Sequence, residues 1–246
     1  MRSEPPFPFN LQNFSFFLDI DGTLAEIARL PELAVVSPET QNILALLFKI
    51  TDGALAVVSG RQLDDIDRMI GLPFLPAAGI HGAQLRLPGK PILLNDSCTA
   101  ELDDVHIRLR EGLHDVEGIL WERKPLSVAI HYRAIPNESQ RIIALAHQVV
   151  KNRPGLKVIT GKMIVEILPA SSDKGQAVTQ LMSYPPFKGR TPFFAGDDTT
   201  DEDAFIAINS MDGISAKIGS GPSIAKFGFE NSEALRAWLA RLITAV

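Results

Sequence analysis

Two aspartates one residue apart, Asp19 and Asp21, stand directly behind an apolar run, Phe14 to Leu18, and directly ahead of Gly22 and Thr23. A run of that length suits a buried parallel strand and is short for a helix. The pair therefore lies at a strand end, where the glycine and threonine turn the backbone and expose several N–H groups. Carboxylates and amides at the carboxyl edge of an open α/β sheet suit a metal-assisted reaction on an anion. Similar positions recur along the chain: Ser59 behind a second apolar run, Lys174 at a helix start, and Asp197 with Asp198 and Asp201 behind a later run.

If these segments converge, Asp19, Asp21 and Asp197 bring like charges together at a cost of roughly 4 kcal/mol per close pair for an effective dielectric near 20. A cation must offset this. An all-oxygen set with open positions suits Mg²⁺, which keeps waters and accepts substrate phosphate. The sequence has no His and Cys cluster for zinc. Uncatalysed phosphate-monoester hydrolysis needs acceleration approaching ~10²¹-fold, and a covalent aspartyl phosphate divides it into two easier steps. On this chemistry Asp19 is the nucleophile, and Asp21 gives a proton to the departing oxygen and then takes one from water. Lys174 screens the nucleophile and phosphoryl charge, while Ser59 and the amides after Asp21 hold phosphoryl oxygens. Asp197 is a further metal ligand, with Asp198 and Asp201 behind it.

The elements that position these residues follow from pattern. Ser37 and Pro38 open a helix through Ile43, Leu46 and Leu47, after a loop from Pro31. Ala54 to Val58 is a second strand, a helix carries Ile66, Met69 and Ile70, and Leu75 to Ile80 is a third strand leading to His81 and Gly82. This alternation predicts a doubly wound parallel sheet of Rossmann-like kind. The pattern then changes: a hairpin over 84–95, a helix over 98–116, strands over 118–123 and 126–133, a helix over 138–150, and strands over 156–160 and 163–168. Short turns imply antiparallel pairing, so residues 88–168 are expected to form an inserted α+β cap, with 1–87 and 169–246 the core. Afterwards Asp173 caps a helix, Thr191 to Ala195 is a strand, Asp201 to Asn209 a helix, Gly213 to Ile218 a strand and Ser232 to Thr244 a closing helix.

The chain has 246 residues and a net charge of −5, with 46% hydrophobic and 22% charged residues, an ordinary soluble balance. The acidic total argues against a nucleic-acid partner. No apolar run approaches the roughly 18 residues of a membrane span, and the N-terminus MRSEPPFPFN lacks an export signal. One cysteine, Cys98, forms no internal disulfide and fits the cytoplasm as a passive thiol. Within the insertion, Glu122, Lys124, His131, Arg133, Lys162 and Glu166 are polar residues in strands or turns. They fit either an edge kept from aggregating or a neutral polyol, whose hydroxyls both donate and accept.

Asp19-Ile20-Asp21-Gly22-Thr23-Leu24 resembles the first motif of the haloacid dehalogenase superfamily, mostly aspartyl-phosphate phosphatases. Ser59, Lys174 and Asp197 match the remaining motifs in order. LDIDGTLAEI, VVSGR, GIHGAQLR, AIHYR, GKMIVEILP, SDKG and FFAGDDTTDEDAF further resemble the trehalose-6-phosphate phosphatases over nearly the whole chain, Gly161-Lys162-x-x-x-Glu166 being the most diagnostic. That resemblance implies a Mg²⁺-dependent core to which Asp21 gives a backbone carbonyl ligand. It implies Glu122, Lys124, His131, Lys162 and Glu166 on the distal glucose, and Arg61, His81 and Gly82 near the phosphorylated one. Trehalose 6-phosphate is the implied substrate, the last step of trehalose biosynthesis the implied place, and a cap closing over the disaccharide the implied motion. A monomer without a synthase domain is expected. Gln84 departs from the glutamate the family often has after His-Gly-Ala, which leaves that position's role open. The alternatives are a phosphatase of sucrose phosphate or mannosyl-3-phosphoglycerate, and a non-enzymatic sugar-phosphate sensor.

Overall fold

The computed structural model describes residues 2–7, 10–27, 33–94 and 98–244. Parts of the N-terminal segment, of the Pro31 loop and of the 84–95 hairpin lie outside these residues. The chain divides into two units, Met1–Ile92 with Asp173–Val246, and Leu93–Ser172.

In the first unit Phe14–Leu18 forms strand β1, Leu55–Val58 β2, Ala77–Gly79 β3, Gln84–Arg86 β4, Thr191–Gly196 β10, Ile214–Ile218 β11 and Phe227–Phe229 β12. The two-residue strand Leu93–Leu94, β5, lies at the edge where the chain leaves this unit. The sheet order is β12-β11-β10-β1-β2-β3-β4-β5, parallel from β12 through β3, with β4 antiparallel to β3. Strand β1 is central and buried on both faces. Phe16 and Leu18 join the core with helices α1 (Pro38–Ile50), α2 (Leu63–Ile70) and α7 (Ser232–Thr244), while Phe17 joins the opposite core with α5 (Lys174–Met182) and α6 (Asp201–Ser210). Burial of one such phenylalanine contributes roughly 1.5–3 kcal/mol. Phe193 of β10 stacks on Trp238 of α7 with ring centroids 5.2 Å apart, tying the closing helix to the strand beside β1.

The caps follow the sequence. Ser37 Oγ accepts from the Thr40 N–H at 3.2 Å with Pro38 in the first turn of α1, and the Asp173 carboxylate accepts from the Gln176 N–H at 2.6 Å at the start of α5. Three expectations change. Leu46 is exposed, and α1 buries Leu44 beside Ile43 and Leu47 instead. Strand β3 stops at Gly79 rather than Ile80, because Ile80 and His81 take positive φ, 49° and 51°. Their N–H groups bond Arg61 O and Ser59 O, both at 2.9 Å, which pulls this segment off the ladder toward the loop after β2. Strand β12 carries Gly228 at its centre, a residue that weakens any strand pattern, and was not expected.

The second unit contains α3 (Thr99–Gly112), β6 (Leu120–Lys124), β7 (Ser127–His131), α4 (Ser139–Val150), β8 (Leu156–Gly161) and β9 (Ile164–Pro169). Its four strands pair antiparallel in the order β6-β7-β9-β8. Val128, Ile130, Val165 and Ile167 pack with Leu102, Val105 and Leu109 of α3 and Ile142, Ala146 and Val149 of α4. The α+β character read from the short turns is observed, although α3 ends at Gly112 and β6 starts at Leu120. Among the described residues no helix is long and apolar enough to cross a membrane.

Candidate active site

The carboxyl end of β1 delivers Asp19, and its neighbour β10 delivers Asp197. The Lys174 ammonium, on the first residue of α5, donates to Asp19 Oδ1 at 2.7 Å and to Asp201 Oδ1 at 2.6 Å. Asp201 opens α6 and is fully buried; its Oδ2 accepts the Asp198 N–H at 2.8 Å, which folds the loop after β10 back on itself. Asp198 Oδ1 accepts the Thr199 N–H at 2.8 Å. Carboxylate oxygens of Asp19, Asp197 and Asp201 lie within 4.8 Å of one another.

Two glycines make this approach possible. A Cβ on Gly22, whose φ is +81°, would lie 2.2 Å from Asp197 Oδ2, and one on Gly196 would lie 2.3 Å from Asp201 Cγ. Any side chain at either position displaces a carboxylate.

Burial pushes the Asp19 carboxyl well above its ordinary range; Lys174 pulls it down, and the charges of Asp201 and Asp197 push it up again. Burial also opposes the Lys174 ammonium, but Asp19 and Asp201 outweigh it and hold the amine above the ordinary lysine range. Three carboxylates around one ammonium leave negative charge in excess, so the arrangement calls for a further cation. Three hard carboxylate donors in close array suit a divalent ion of the Mg²⁺ or Ca²⁺ kind, and the residues present therefore fit such an ion.

Asp21 is outside this triad. Its carboxylate accepts both Nε and Nη2 of Arg61 at 2.7 Å, a two-pronged pair within the first unit. Ser59 is buried at the end of β2; its Oγ accepts the Arg61 N–H at 3.2 Å and its carbonyl accepts the His81 N–H. His81 is buried, and Gly82 follows it with φ +99°. Gln84 Oε1 accepts the Leu63 N–H at 2.9 Å, so this departure from the family pattern caps α2.

The second unit gathers a separate polar group. Glu122 and Glu166 flank Ala129 across β6, β7 and β9 on the face opposite the helices, since the alternate residues Val128, Ile130, Val165 and Ile167 face α3 and α4. Lys124 Nζ donates to Glu166 Oε1 at 2.9 Å, and His131 Nε2 lies 2.8 Å from Glu122 Oε2. Ser127, buried, donates to Glu166 Oε1 at 2.5 Å. Burial raises the Glu122 carboxyl, but hydrogen bonding from His131 and the charge of Lys124 prevail and hold it below its ordinary range. Lys162 is exposed in the turn joining β8 to β9, and Arg133 follows the end of β7.

Sequence reasoning passed over two residues of these groups. Ser127 gives no signal, because a serine beside a turn is unremarked. Lys217, buried in β11, donates to Asp197 O at 2.5 Å; its signal was a charge inside the otherwise apolar run Ile214–Ile218.

A family model described as trehalose-phosphatase matches residues 17–234. Trehalose-6-phosphate phosphatase of Escherichia coli K12 is 36% identical over 234 residues, covering 95% of this chain and 88% of that protein. A crystal structure of a trehalose-6-phosphate phosphatase related protein aligns over 94% of this chain and 97% of that one, at 28% identity and a TM-score of 0.76. A haloalkanoate-superfamily phosphatase from Bacteroides thetaiotaomicron, 14% identical, covers 98% of this chain and 99% of that one with a TM-score of 0.65, a likeness of fold.

Proposed function

The chain belongs to the trehalose-phosphatase family, and from that premise we propose that it hydrolyses trehalose 6-phosphate to trehalose and phosphate through an aspartyl phosphate on Asp19. The observation that carries the chemistry is the meeting of buried Asp19, Asp201 and Lys174 with half-buried Asp197 beside a glycine-bearing turn.

Asp19 and Asp197 would hold a divalent ion, Mg²⁺ by the preference of hard oxygen donors, with Asp21 offering its backbone carbonyl and Asp201, whose two oxygens accept from Lys174 and from the Asp198 N–H, behind them. When bound, that ion keeps Asp19 ionised and neutralises phosphoryl charge. An Asp19 oxygen attacks phosphorus as the bond to the sugar oxygen breaks, and Asp21 gives that oxygen its proton. Water then attacks phosphorus, Asp21 takes its proton, and the bond to Asp19 breaks, releasing phosphate. Lys174 holds Asp19 in place and screens its charge. Ser59 holds a phosphoryl oxygen, whereas the N–H groups of Gly22, Thr23, Leu24 and Ala25, expected to share that role, bond the carbonyls of Ala25 and Ile20 inside the turn; Asp198 steadies the loop after β10.

Arg61 is engaged with Asp21 in this structure. A phosphate dianion offers the guanidinium a competing acceptor, so substrate draws Arg61 away and leaves Asp21 able to carry a proton. His81 and Gly82 line the same end of the substrate. In the second unit Glu122, Lys124, His131, Glu166 and Lys162 supply alternating donors and acceptors for sugar hydroxyls, and this unit acts as the specificity cap. We read the protein as a cytoplasmic monomer, its single cysteine fitting a reducing compartment.

The test is phosphate release from a panel of esters in Mg²⁺. Trehalose 6-phosphate is expected to turn over far faster than glucose 6-phosphate, sucrose phosphate or mannosyl-3-phosphoglycerate. Comparable rates on trehalose 6-phosphate and glucose 6-phosphate contradict the sugar assignment. An acyl phosphate stable for minutes would favour a sensor.

A further inference from the structure

We propose that Lys217 is a positioning residue for the metal-binding carboxylate of Asp197, an inference that rests on the metal-dependent reading above. Lys217 is 7% exposed, and its backbone pairs with Gly196 in the parallel register of β10 and β11. Its ammonium therefore reaches along the strand end to Asp197 O, one residue beyond Gly196, at 2.5 Å. Among the described residues that carbonyl is its one hydrogen-bond acceptor.

The contact anchors the loop after β10 at the carbonyl of Asp197 itself. The Asp197 side chain is packed on the Gly22 backbone, where a Cβ would lie 2.2 Å from Oδ2. The Asp198 N–H is fixed by Asp201 Oδ2 at 2.8 Å. That N–H and the Asp197 carbonyl are opposite ends of one planar peptide, which Asp201 and Lys217 grip from either side. Without Lys217 a single hydrogen bond holds it, and the Asp197 carboxylate is freer to leave the 4.8 Å triad. Lys217 also places a second buried ammonium at a loop bearing Asp197, Asp198 and Asp201, with a partner different from those of Lys174, whose contacts are with Asp19 and Asp201. Lys174 thus serves the nucleophile, and Lys217 serves the ligand on the neighbouring strand. Partners of this kind, one step behind a ligand, typically change metal affinity by 10- to 100-fold when removed.

The experiment is calorimetric titration of Mn²⁺, an oxygen-preferring divalent ion, into the metal-free full-length protein. Wild type, Lys217→Arg, Lys217→Gln and Lys217→Met are compared, each with its metal-free melting curve. Lys217→Met is expected to bind Mn²⁺ at least about tenfold more weakly while melting like wild type. Lys217→Arg, which keeps a charged donor, is expected to stay within about threefold. Lys217→Gln is the shorter neutral arm, expected to weaken binding should Lys217→Met fail to fold. Unchanged affinity in Lys217→Met, or equal losses in the Arg and Met variants, overturns the proposal. Failure of all three variants to fold overturns it too, by making the lysine a general structural element. Absence of Mn²⁺ binding by the wild type sinks the metal-dependent reading itself, a result distinct from wild-type binding with an unaffected Lys217→Met.

Discussion

Asp19 is held 2.7 Å from the Lys174 ammonium and is nearly closed to solvent, so a neutral isostere keeps its shape while removing its charge. Asp19→Asn is expected to lower turnover by at least about a thousandfold with the circular-dichroism spectrum unchanged; retained turnover removes the covalent route. Gly22→Ala places a methyl group against Asp197 at a position of positive φ. It is expected to abolish divalent-ion binding measured by calorimetry, and an unaffected affinity contradicts the role given to that close approach. Asp19, Lys174, Asp197 and Ser59 were legible because each follows an apolar run or opens a helix. The partners of Asp201 were not. Its position in sequence suggested a helix-capping or outer role, and its fully buried carboxylate shares Lys174 with Asp19 and accepts the Asp198 N–H, contacts that no spacing announces. The pairing of Asp21 with Arg61 was equally hidden, because it joins two strand ends through a side chain long enough to choose among several acceptors.

At the scale of elements, the β6-β7-β9 face makes its own predictions. Glu122 has its carboxyl pKa lowered in the folded state, chiefly through His131 and Lys124 overcoming burial. Its contribution to stability is therefore present above the ordinary glutamate value of 4.5 and is lost as pH falls through the lower folded value. Glu122→Gln is expected to melt below wild type at neutral pH, with the difference narrowing as pH drops under 4.5. A difference that widens toward acid contradicts the assignment. Glu166→Gln weakens a buried contact with Lys124 and Ser127. It is expected to reduce kcat/KM on trehalose 6-phosphate by roughly tenfold or more, while p-nitrophenyl phosphate hydrolysis changes little. Equal losses on both substrates contradict a sugar-reading role. Strand existence was legible here from alternation, because one face must meet α3 and α4. Strand ends were not, since Ile80 and His81 leave the sheet for backbone partners in another loop and Gly228 obscures β12.

At the scale of the whole molecule, the doubly wound order was readable because parallel strands buried on both faces are apolar throughout, as Phe14–Leu18 and Leu55–Val58 are. The division at Leu93 and Ser172 was approached through a change of pattern rather than any linker composition. Three acidic side chains gathered around one ammonium in the first unit are expected to make the fold's stability respond to a divalent cation. Mg²⁺ at about a hundred times its dissociation constant is expected to stabilise the metal-free protein by about 2.7 kcal/mol in thermal unfolding, and activity is expected to vanish on chelation and return with Mg²⁺. The central claim is that the phosphoryl group passes through Asp19. Rapid acid quenching during turnover of trehalose 6-phosphate, followed by peptide mass spectrometry, tests it most directly. A transient phosphoryl group on the peptide carrying Asp19, absent from Asp19→Asn, is predicted; steady phosphate release with that peptide never modified contradicts it.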